Sequence, residues 1–390
     1  MTTRNEVRLA LVGCGGRGVN VSKLFKSDPR CRITAVMDRF VSRAQQAAKE
    51  LDLPDAKIYD DFEKLLREGP IDAVFFACDP MVQADLACQA MAAGKHVCTE
   101  VPAAFSIQQC GNLVKTVEKT GVKYQLLEQG RFAGFIDAWK QMHDRDEFGH
   151  VCLAQGEYVH FLPRFRNWYN VETGEQFHDL ARPAGKNVEI SWHAKVRSDP
   201  IYYLPHTLSP ILKVLDDRVV RVSCMGTRRG SYTFPELNIP WREIEYALMH
   251  TAKDTVLLVG AGFCLPSVPR GPTECHWYEL RGTKACASSP RHKSDCFRLW
   301  KEGMDDYEKI ELSLVPREAT EEEKRSGHGG QDYRPVSTFL RAIVEDAPTG
   351  MDVYQAVETA APAILAAESA RQGGTLLDVP DFRPEGKSAR

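Results

Sequence analysis

The chain has 390 residues, more than a single hydrophobic core usually organises, so two domains are expected. Hydrophobic residues make up 43% and charged residues 26%, an ordinary globular composition that excludes a disordered or fibrous chain. A formal net charge of -3 gives no electrostatic case for nucleic acid or for an anionic membrane surface, and short basic clusters such as Arg228–Arg229 do not alter that.

The first apolar run ends at Gly13, too short for an export signal or a membrane span, which leads us to expect a cytoplasmic protein. Twelve cysteines form no C-x-x-C pair and several sit inside apolar segments, so free and mostly buried thiols are expected. Eleven histidines form neither H-x-x-x-H nor H-E-x-x-H, and no metal is expected.

In chain order, Arg8–Val12 reads as a buried strand, followed by a glycine-rich turn and a helix through Leu24 and Phe25. Arg32–Met37 is the next strand and Ser42–Leu51 the next helix. Ala73–Ala77 is a strand, and the helix Ala84–Ala93 ends at Gly94. His96–Cys98 and Lys123–Leu127 are further strands, with the helix Gln108–Thr120 between them. Short apolar strands alternating with helices predict a parallel sheet covered on both faces, an α/β Rossmann domain over residues 1–130.

From Val151 the style changes. Leu153–Phe161, Val219–Met225, Thr255–Gly262, Trp277–Arg281 and Lys309–Leu314 read as strands with few helices between them. That pattern predicts an α+β domain over residues 131–390 with a large, mostly antiparallel open sheet. Phe161–Asn187, Ser267–Glu274 and Pro316–Gln331 are long for loops, and such loops tend to be functional. Two helices, Pro335–Glu345 and Val353–Arg371, close the chain.

Gly13-Cys14-Gly15-Gly16-Arg17-Gly18 directly follows the first strand and opens a helix. Glycines at these positions allow a tight turn and close approach of the backbone to a pyrophosphate, which the helix N-terminus attracts. Asp38 ends the second strand, where an acid accepts hydrogen bonds from ribose hydroxyls and repels a 2′-phosphate. NAD is therefore the expected cofactor, a preference that the neighbouring Arg39 weakens.

With these motifs, with Ala73–Pro80, and with Ala93-Gly94-Lys95-His96-Val97-Cys98-Thr99-Glu100-Val101-Pro102, the whole chain resembles the glucose–fructose oxidoreductase, inositol dehydrogenase and MocA (Gfo/Idh/MocA) family. The resemblance implies a nicotinamide at the carboxyl ends of the strands, facing a substrate pocket built by the second domain. Gly13, Gly15, Gly16, Arg17, Gly18, Asp38, Arg39, Gln83, Glu100, Pro102 and Gln129 are its implied cofactor residues. Family dehydrogenases usually carry Glu-Lys-Pro, and here the lysine position is Val101, which moves no proton. Glu100-Val101-Pro102-Ala103-Ala104 is similar to one branch, the NAD-dependent glycoside hydrolases of the α-N-acetylgalactosaminidase type. Leu127-Glu128-Gln129, Gly156–His160, Tyr203–His206, His328–Tyr333 and Met351–Tyr354 match that branch in the same order.

The branch implies transient oxidation at sugar C3, elimination of the C1 substituent, water addition and re-reduction, with proton shuttles supplied by the protein. His206 is the expected base beside the hydride transfer, in place of the lysine lost at Val101; Tyr203, Tyr158 and His160 are the other catalytic candidates. Glu128, Arg164, Trp192, His328 and Asp332 are candidate substrate residues, the last two in a glycine-flexed loop suited to closing over cofactor or sugar. Arg164, Arg166 and Arg197 offer charge to an anionic sugar substituent, although a solvated charged face accounts for them more simply. Two other readings stand beside the glycosidase: a conventional sugar or glycoside 3-dehydrogenase, and a non-catalytic dinucleotide-binding regulator. The resemblance further implies a carbohydrate or glycoside substrate and a homodimer or homotetramer.

Overall fold

The computed structural model describes residues 6–185, 187–236, 239–265, 276–292, 294–315 and 319–384. The chain forms two compact units, Met1–Gln129 with Glu321–Val357, and Gly130–Thr320 with Glu358–Arg390.

The first unit is built on six parallel strands: β1 (Val7–Val12), β2 (Cys31–Met37), β3 (Lys57–Tyr59), β4 (Ala73–Phe76), β5 (His96–Thr99) and β6 (Tyr124–Leu126), in the order β3-β2-β1-β4-β5-β6. The helices α1 (Gly16–Ser27), α2 (Val41–Glu50), α3 (Phe62–Glu68), α4 (Pro80–Ala92) and α5 (Ile107–Thr120) connect them. Every residue of β4 is buried, as expected of a strand covered on both faces. β3 and α3 are additions to the predicted elements; Asp61 caps α3 by accepting from the Lys64 N–H. α4 begins four residues before the predicted start because Asp79 caps it through the Met81 N–H and Pro80 supplies a preset φ at its first turn.

The segment 321–357, expected within the second domain, belongs to this unit for a plain reason. Val336, Phe339 and Leu340 on the helix Tyr333–Val344 complete the apolar core formed by Leu9, Leu11, Phe25 and Phe75. Phe25 lies 5.3 Å from Phe75 and 6.4 Å from Phe339, ring centre to ring centre. The buried Gln125 amide donates to the Pro335 carbonyl at 2.6 Å and accepts from the Gly350 N–H at 2.8 Å, which pins the returning chain to β6.

The second unit carries a nine-stranded mixed sheet. Its strands are β7 (Val151–Val159), β11 (Val219–Gly226), β12 (Ile244–Thr251), β13 (Val256–Gly262), β14 (His276–Gly282), β15 (Ala285–Ser288), β16 (Phe297–Lys301), β17 (Glu308–Ile310) and β18 (Leu377–Asp378). They lie in the order β17-β16-β15-β14-β7-β13-β12-β11-β18, and only β7 and β13 pair in parallel. Two helices that the sequence reading missed pack on the sheet, α6 (Gly134–Asp144) and α8 (Pro205–Leu215). Phe135 of α6 meets Tyr278 at 5.9 Å and Phe297 at 5.1 Å. α8 lies so close to β7 that a Cβ on Gly156 would sit 2.3 Å from Thr207 Cγ2.

Phe161–Asn187, expected as a loop, folds in part into a small antiparallel sheet, β8 (Trp168–Asn170), β9 (Gln176–Phe177) and, just beyond it, β10 (Val188–Ile190). Trp168, Phe177, Leu180 and Val188 form its core with Ala194, Ile239 and Trp241, while α7 (Trp192–Val196) follows it. The expected strand Lys309–Leu314 is corrected to Glu308–Ile310. Beyond it the chain leaves the sheet, and the Leu314 carbonyl accepts from the Gly134 N–H at the start of α6. Ser267–Glu274 lies outside the described residues. Eleven described cysteines are free thiols, and burial pushes those of Cys78, Cys110 and Cys264 up to about 12, so they stay protonated.

Candidate active site

The turn between β1 and α1 is shaped by what its glycines leave out. Gly13 has φ +96, and a Cβ there would lie 2.4 Å from the Ala77 carbonyl oxygen. A Cβ on Gly18 would lie 2.2 Å from the Gly13 oxygen, so helix and turn touch backbone to backbone. Gly15 differs, because nothing lies within 4 Å of its added Cβ. It is the N-cap of α1, and no side chain caps the N–H groups that follow. An open cradle facing an uncapped helix N-terminus suits a pyrophosphate.

Asp38 is buried at the end of β2 and accepts from the Cys14 N–H at 2.9 Å and the Phe40 N–H at 3.0 Å. Its carboxylate is thus oriented by backbone donors, which fits the acid that binds ribose hydroxyls. Arg39 is exposed and lies over the Phe40 ring, 4.7 Å from its centre. Gln83, fully buried, donates to the carbonyls of Glu100 and Pro102 and so fixes the segment around Val101. Glu128 and Gln129, both buried, follow β6.

Arg17 gathers residues that the sequence reading had kept apart. Its Nε donates to Glu100 at 2.7 Å, and its two terminal nitrogens donate to Asp332 at 2.9 and 3.2 Å. His328 Nδ1 lies 2.9 and 3.0 Å from the two oxygens of the same carboxylate. Burial works against the charge on Asp332, yet His328 and Arg17 hold its carboxyl well below the usual carboxylate range. Residues 328–330 turn sharply, with φ of 51, 65 and 95 at His328, Gly329 and Gly330. In this structure His328 and Asp332 therefore serve the glycine-rich turn, and Glu100 holds Arg17.

The second unit brings the four catalytic candidates together. Tyr158 and His160 leave β7 on one face, and their rings meet at 4.6 Å. Tyr203 ends the short helical turn Pro200–Tyr203, and His206 opens α8 directly after it. Tyr158 lies 4.8 Å from His206 and 6.2 Å from Tyr203, while Tyr203 and His206 stack at 6.0 Å. Gly156 lets α8 come down on β7, which is what seats His206 beside Tyr158.

Three members of this cluster were not foreseen. His276, the register partner of Tyr158 on β14, lies 4.7 Å from the Tyr158 ring. Tyr278, two residues on, donates its hydroxyl proton to the His206 carbonyl at 3.0 Å and lies 3.0 Å from His276 Nδ1. With that single proton given to a carbonyl, the Tyr278 oxygen can accept from a protonated His276 Nδ1. Phe263 packs against Tyr158, His160 and Tyr203 at 5.8, 5.7 and 4.9 Å. The signal for His276 was the alternation of its strand, which the sequence reading began one residue too late.

Of the other substrate candidates, Trp192 stacks on its neighbour His193 at 3.4 Å, and Arg164 is exposed. Arg197 is a correction: expected on a solvated charged face, it is only 2% exposed and surrounded by carbonyl oxygens. Among the described residues no group of His, Cys, Asp and Glu is arranged to hold a metal ion, and no helix is long and apolar enough to cross a membrane.

Residues 7–127 match the family model for the Gfo/Idh/MocA oxidoreductase family, NAD-binding Rossmann fold, and residues 287–387 match the glycosyl hydrolase 109 C-terminal domain. A glycosyl hydrolase family 109 protein of Saccharopolyspora erythraea is 27% identical over 408 residues, covering 96% of this chain and 83% of its own. Glycosyl hydrolase family 109 protein 4 of Phocaeicola vulgatus is 28% identical over 419 residues, covering 96% and 78%. Among solved structures, a levoglucosan dehydrogenase in complex with NADH and L-sorbose superposes with a TM-score of 0.76 at 15% identity, covering 97% of this chain and 100% of that one. An oxidoreductase from Agrobacterium radiobacter in complex with NAD+, L-tartaric acid and magnesium gives 0.72 at 17%, covering 96% and 98%. These two likenesses show the fold. The chain is thus an NAD-dependent enzyme in which a Rossmann domain of the Gfo/Idh/MocA oxidoreductase family is joined to a C-terminal domain of the glycosyl hydrolase 109 type.

Proposed function

We propose that this chain is an NAD-dependent glycoside hydrolase that works by transient oxidation at sugar C3. The observation that carries the reading is the cluster of Tyr158, His160, Tyr203, His206 and His276 in the unit that ends in the glycosyl hydrolase 109 domain. Plain hydride transfer from a sugar needs one proton acceptor, whereas oxidation, elimination, hydration and re-reduction need several proton-transfer groups. Val101, in place of a lysine, supports the same reading because it leaves the proton work to the cluster.

Gly13 to Gly18 and Asp38 would hold NAD+, which would supply reversible hydride-acceptor chemistry at a sugar ring carbon. His206 takes the C3 hydroxyl proton as that carbon becomes a ketone. Tyr203 takes the C2 proton, which the neighbouring ketone has made acidic. Tyr158 protonates the oxygen leaving C1, and His160 and His276 orient these groups and carry away the proton that the entering water gives up, while Tyr203 returns its proton to C2. Glu128, Arg164 and Trp192 are proposed substrate contacts, and the Arg17–Glu100–Asp332–His328 group holds the turn that receives the pyrophosphate. Met225, Leu248, Val256 and Leu258, exposed on one face of β11 to β13, support assembly into a dimer or tetramer.

The test is turnover of nitrophenyl α- and β-glycosides, N-acetylgalactosaminides included, followed at the nitrophenolate and NADH bands together. Nitrophenolate release without build-up of NADH is the expected result. Steady NADH accumulation without release would establish the 3-dehydrogenase instead. His206→Ala is expected to lose turnover at least a hundredfold while still binding NAD, in line with loss of a general base. Full activity in that variant would overturn the assignment.

A further inference from the structure

Arg197 follows α7 and is buried, 2% exposed, yet it makes no ion pair among the described residues. Its Nε donates to the His193 carbonyl at 3.0 Å and one terminal nitrogen to the Leu162 carbonyl at 2.9 Å. The other terminal nitrogen donates to the Phe165 carbonyl and, at 3.2 Å, to Asn167 Oδ1. Aromatic faces close the rest: the guanidinium carbon lies 4.6 Å from the Trp241 ring centre, 5.4 Å from Phe165 and 6.0 Å from Phe263. Burial pulls the guanidinium down to about 10, so it is still charged at neutral pH.

Carbonyl oxygens can be satisfied by neutral donors, so this cage does not by itself require a cation. Keeping a positive charge in a dry aromatic setting without a carboxylate is costly, and such a cost is met where the charge is used. Phe263 shows what lies on the other side. Its ring centre lies 6.0 Å from the guanidinium carbon and 4.9 Å from the Tyr203 ring centre. We propose that Arg197 is a positioning residue for proton transfer, its caged cation behind Phe263 drawing the Tyr203 hydroxyl towards the phenolate. The proposal rests on Tyr203 acting as the base at C2, and it supplies the neighbouring charge that a phenol needs for that work near neutrality.

The other titratable groups around Tyr203 do not replace it. Tyr158 on β7 and His206 on α8 lie beside Tyr203 and already carry proton-transfer roles in the proposed function, as do His160 and His276 beside Tyr158. Cys264, after β13, is held protonated by burial. Glu245 on β12 accepts from the Ile201 N–H, two residues before Tyr203, and an anion there disfavours a phenolate. Arg371 donates to the hydroxyl of Tyr202, the residue before Tyr203, at 2.8 Å and to Asp199 at 2.9 Å.

The test reads ionisation rather than turnover, so it can fail while the glycosidase reading stands, and succeed where that reading fails. Tyrosinate absorbance is followed against pH in the full-length protein, in Arg197→Lys and in Arg197→Gln, each with and without Tyr203→Phe. The difference within each pair isolates Tyr203. A charge roughly 10 Å away through protein shifts an ionisation by roughly one pH unit. Tyr203 is therefore expected to ionise below the ordinary phenol value of about 10 in the parent and in Arg197→Lys, and about one unit higher in Arg197→Gln. An unchanged midpoint in Arg197→Gln overturns the proposal. If Arg197→Gln does not fold, the parent and the lysine variant decide it: midpoints below about 10 support the proposal, and midpoints at or above that value overturn it.

Discussion

Gly156→Ala places a methyl group 2.3 Å from Thr207 Cγ2 and 3.2 Å from Ile211 Cδ1. Carbon atoms in comfortable contact stand roughly 3.5–4.0 Å apart, so α8 must retreat from β7 by about 1.5 Å. Thr207 is fully buried and the whole of Pro205–Leu212 is buried with it, which leaves no soft neighbour to absorb the shift. Overpacking of this kind costs about 1–3 kcal/mol. For a folding unit of this size that corresponds to a midpoint lowered by roughly 2–12 °C. His206, the proposed base, adjoins Thr207, and displacing such a side chain by about 1 Å can lower the rate by about a hundredfold. Thermal unfolding and glycoside turnover of Gly156→Ala measure the two effects. Thr207→Ser removes the offending methyl, so Gly156→Ala/Thr207→Ser should recover much of both losses, although Thr207→Ser alone costs a little. If the single variant unfolds within 1 °C of the parent, or if serine restores nothing, the proposed close approach of helix and strand is wrong.

The glycine-rich turn gives a paired prediction. Gly15→Ala should leave the unfolding midpoint almost unchanged, because its φ of -74 suits alanine and the added methyl meets nothing, while calorimetry shows NAD binding weakened at least tenfold. Gly13→Ala should instead prevent folding or lower the midpoint sharply, since its methyl would strike the Ala77 carbonyl at a left-handed φ. Asp332→Asn loses ion pairs to Arg17 and His328 and should cost about 1–3 kcal/mol at neutral pH in urea unfolding. The Asp332 carboxyl titrates lower in the folded than in the unfolded chain, so its contribution is complete above about pH 4 and fades as pH falls further. The parent should therefore lose stability more steeply than Asp332→Asn below that pH, and parallel curves would count against the pairing.

Much of the first unit could be read directly because its strands are short, apolar and separated by amphipathic helices. The G-x-G-x-x-G turn and Asp38 were legible for the same reason, since local backbone geometry dictates those residue types. The second unit hid more. β12 carries Glu245, Ala247, Met249 and Thr251 on its buried face and Ile244, Tyr246, Leu248 and His250 on its more exposed one, an inversion of the usual pattern. A strand whose inner face holds a carboxylate and whose outer face holds leucine gives no inward hydrophobic period to find. α8 is buried almost all round and interrupted by Pro210, so neither amphipathicity nor propensity announced it. Tyr203 and His206 were singled out by their resemblance to the Tyr-x-x-His pair of the glycoside hydrolase branch, whereas His276 joins them only through strand pairing, and Arg17 meets Asp332 across more than three hundred positions of chain.

The helix Tyr333–Val344 has a bearing on how the protein is made. Its Val336, Phe339 and Leu340 finish a core whose other residues lie almost entirely before residue 128, so a ribosome has issued most of the chain before the dinucleotide unit can close. Until then Phe25 and Phe75 face water on that side, a sticky surface that a nascent chain must shelter. A clone ending near residue 130 would carry the same bare patch permanently, and clumping in the expression host would be its expected fate.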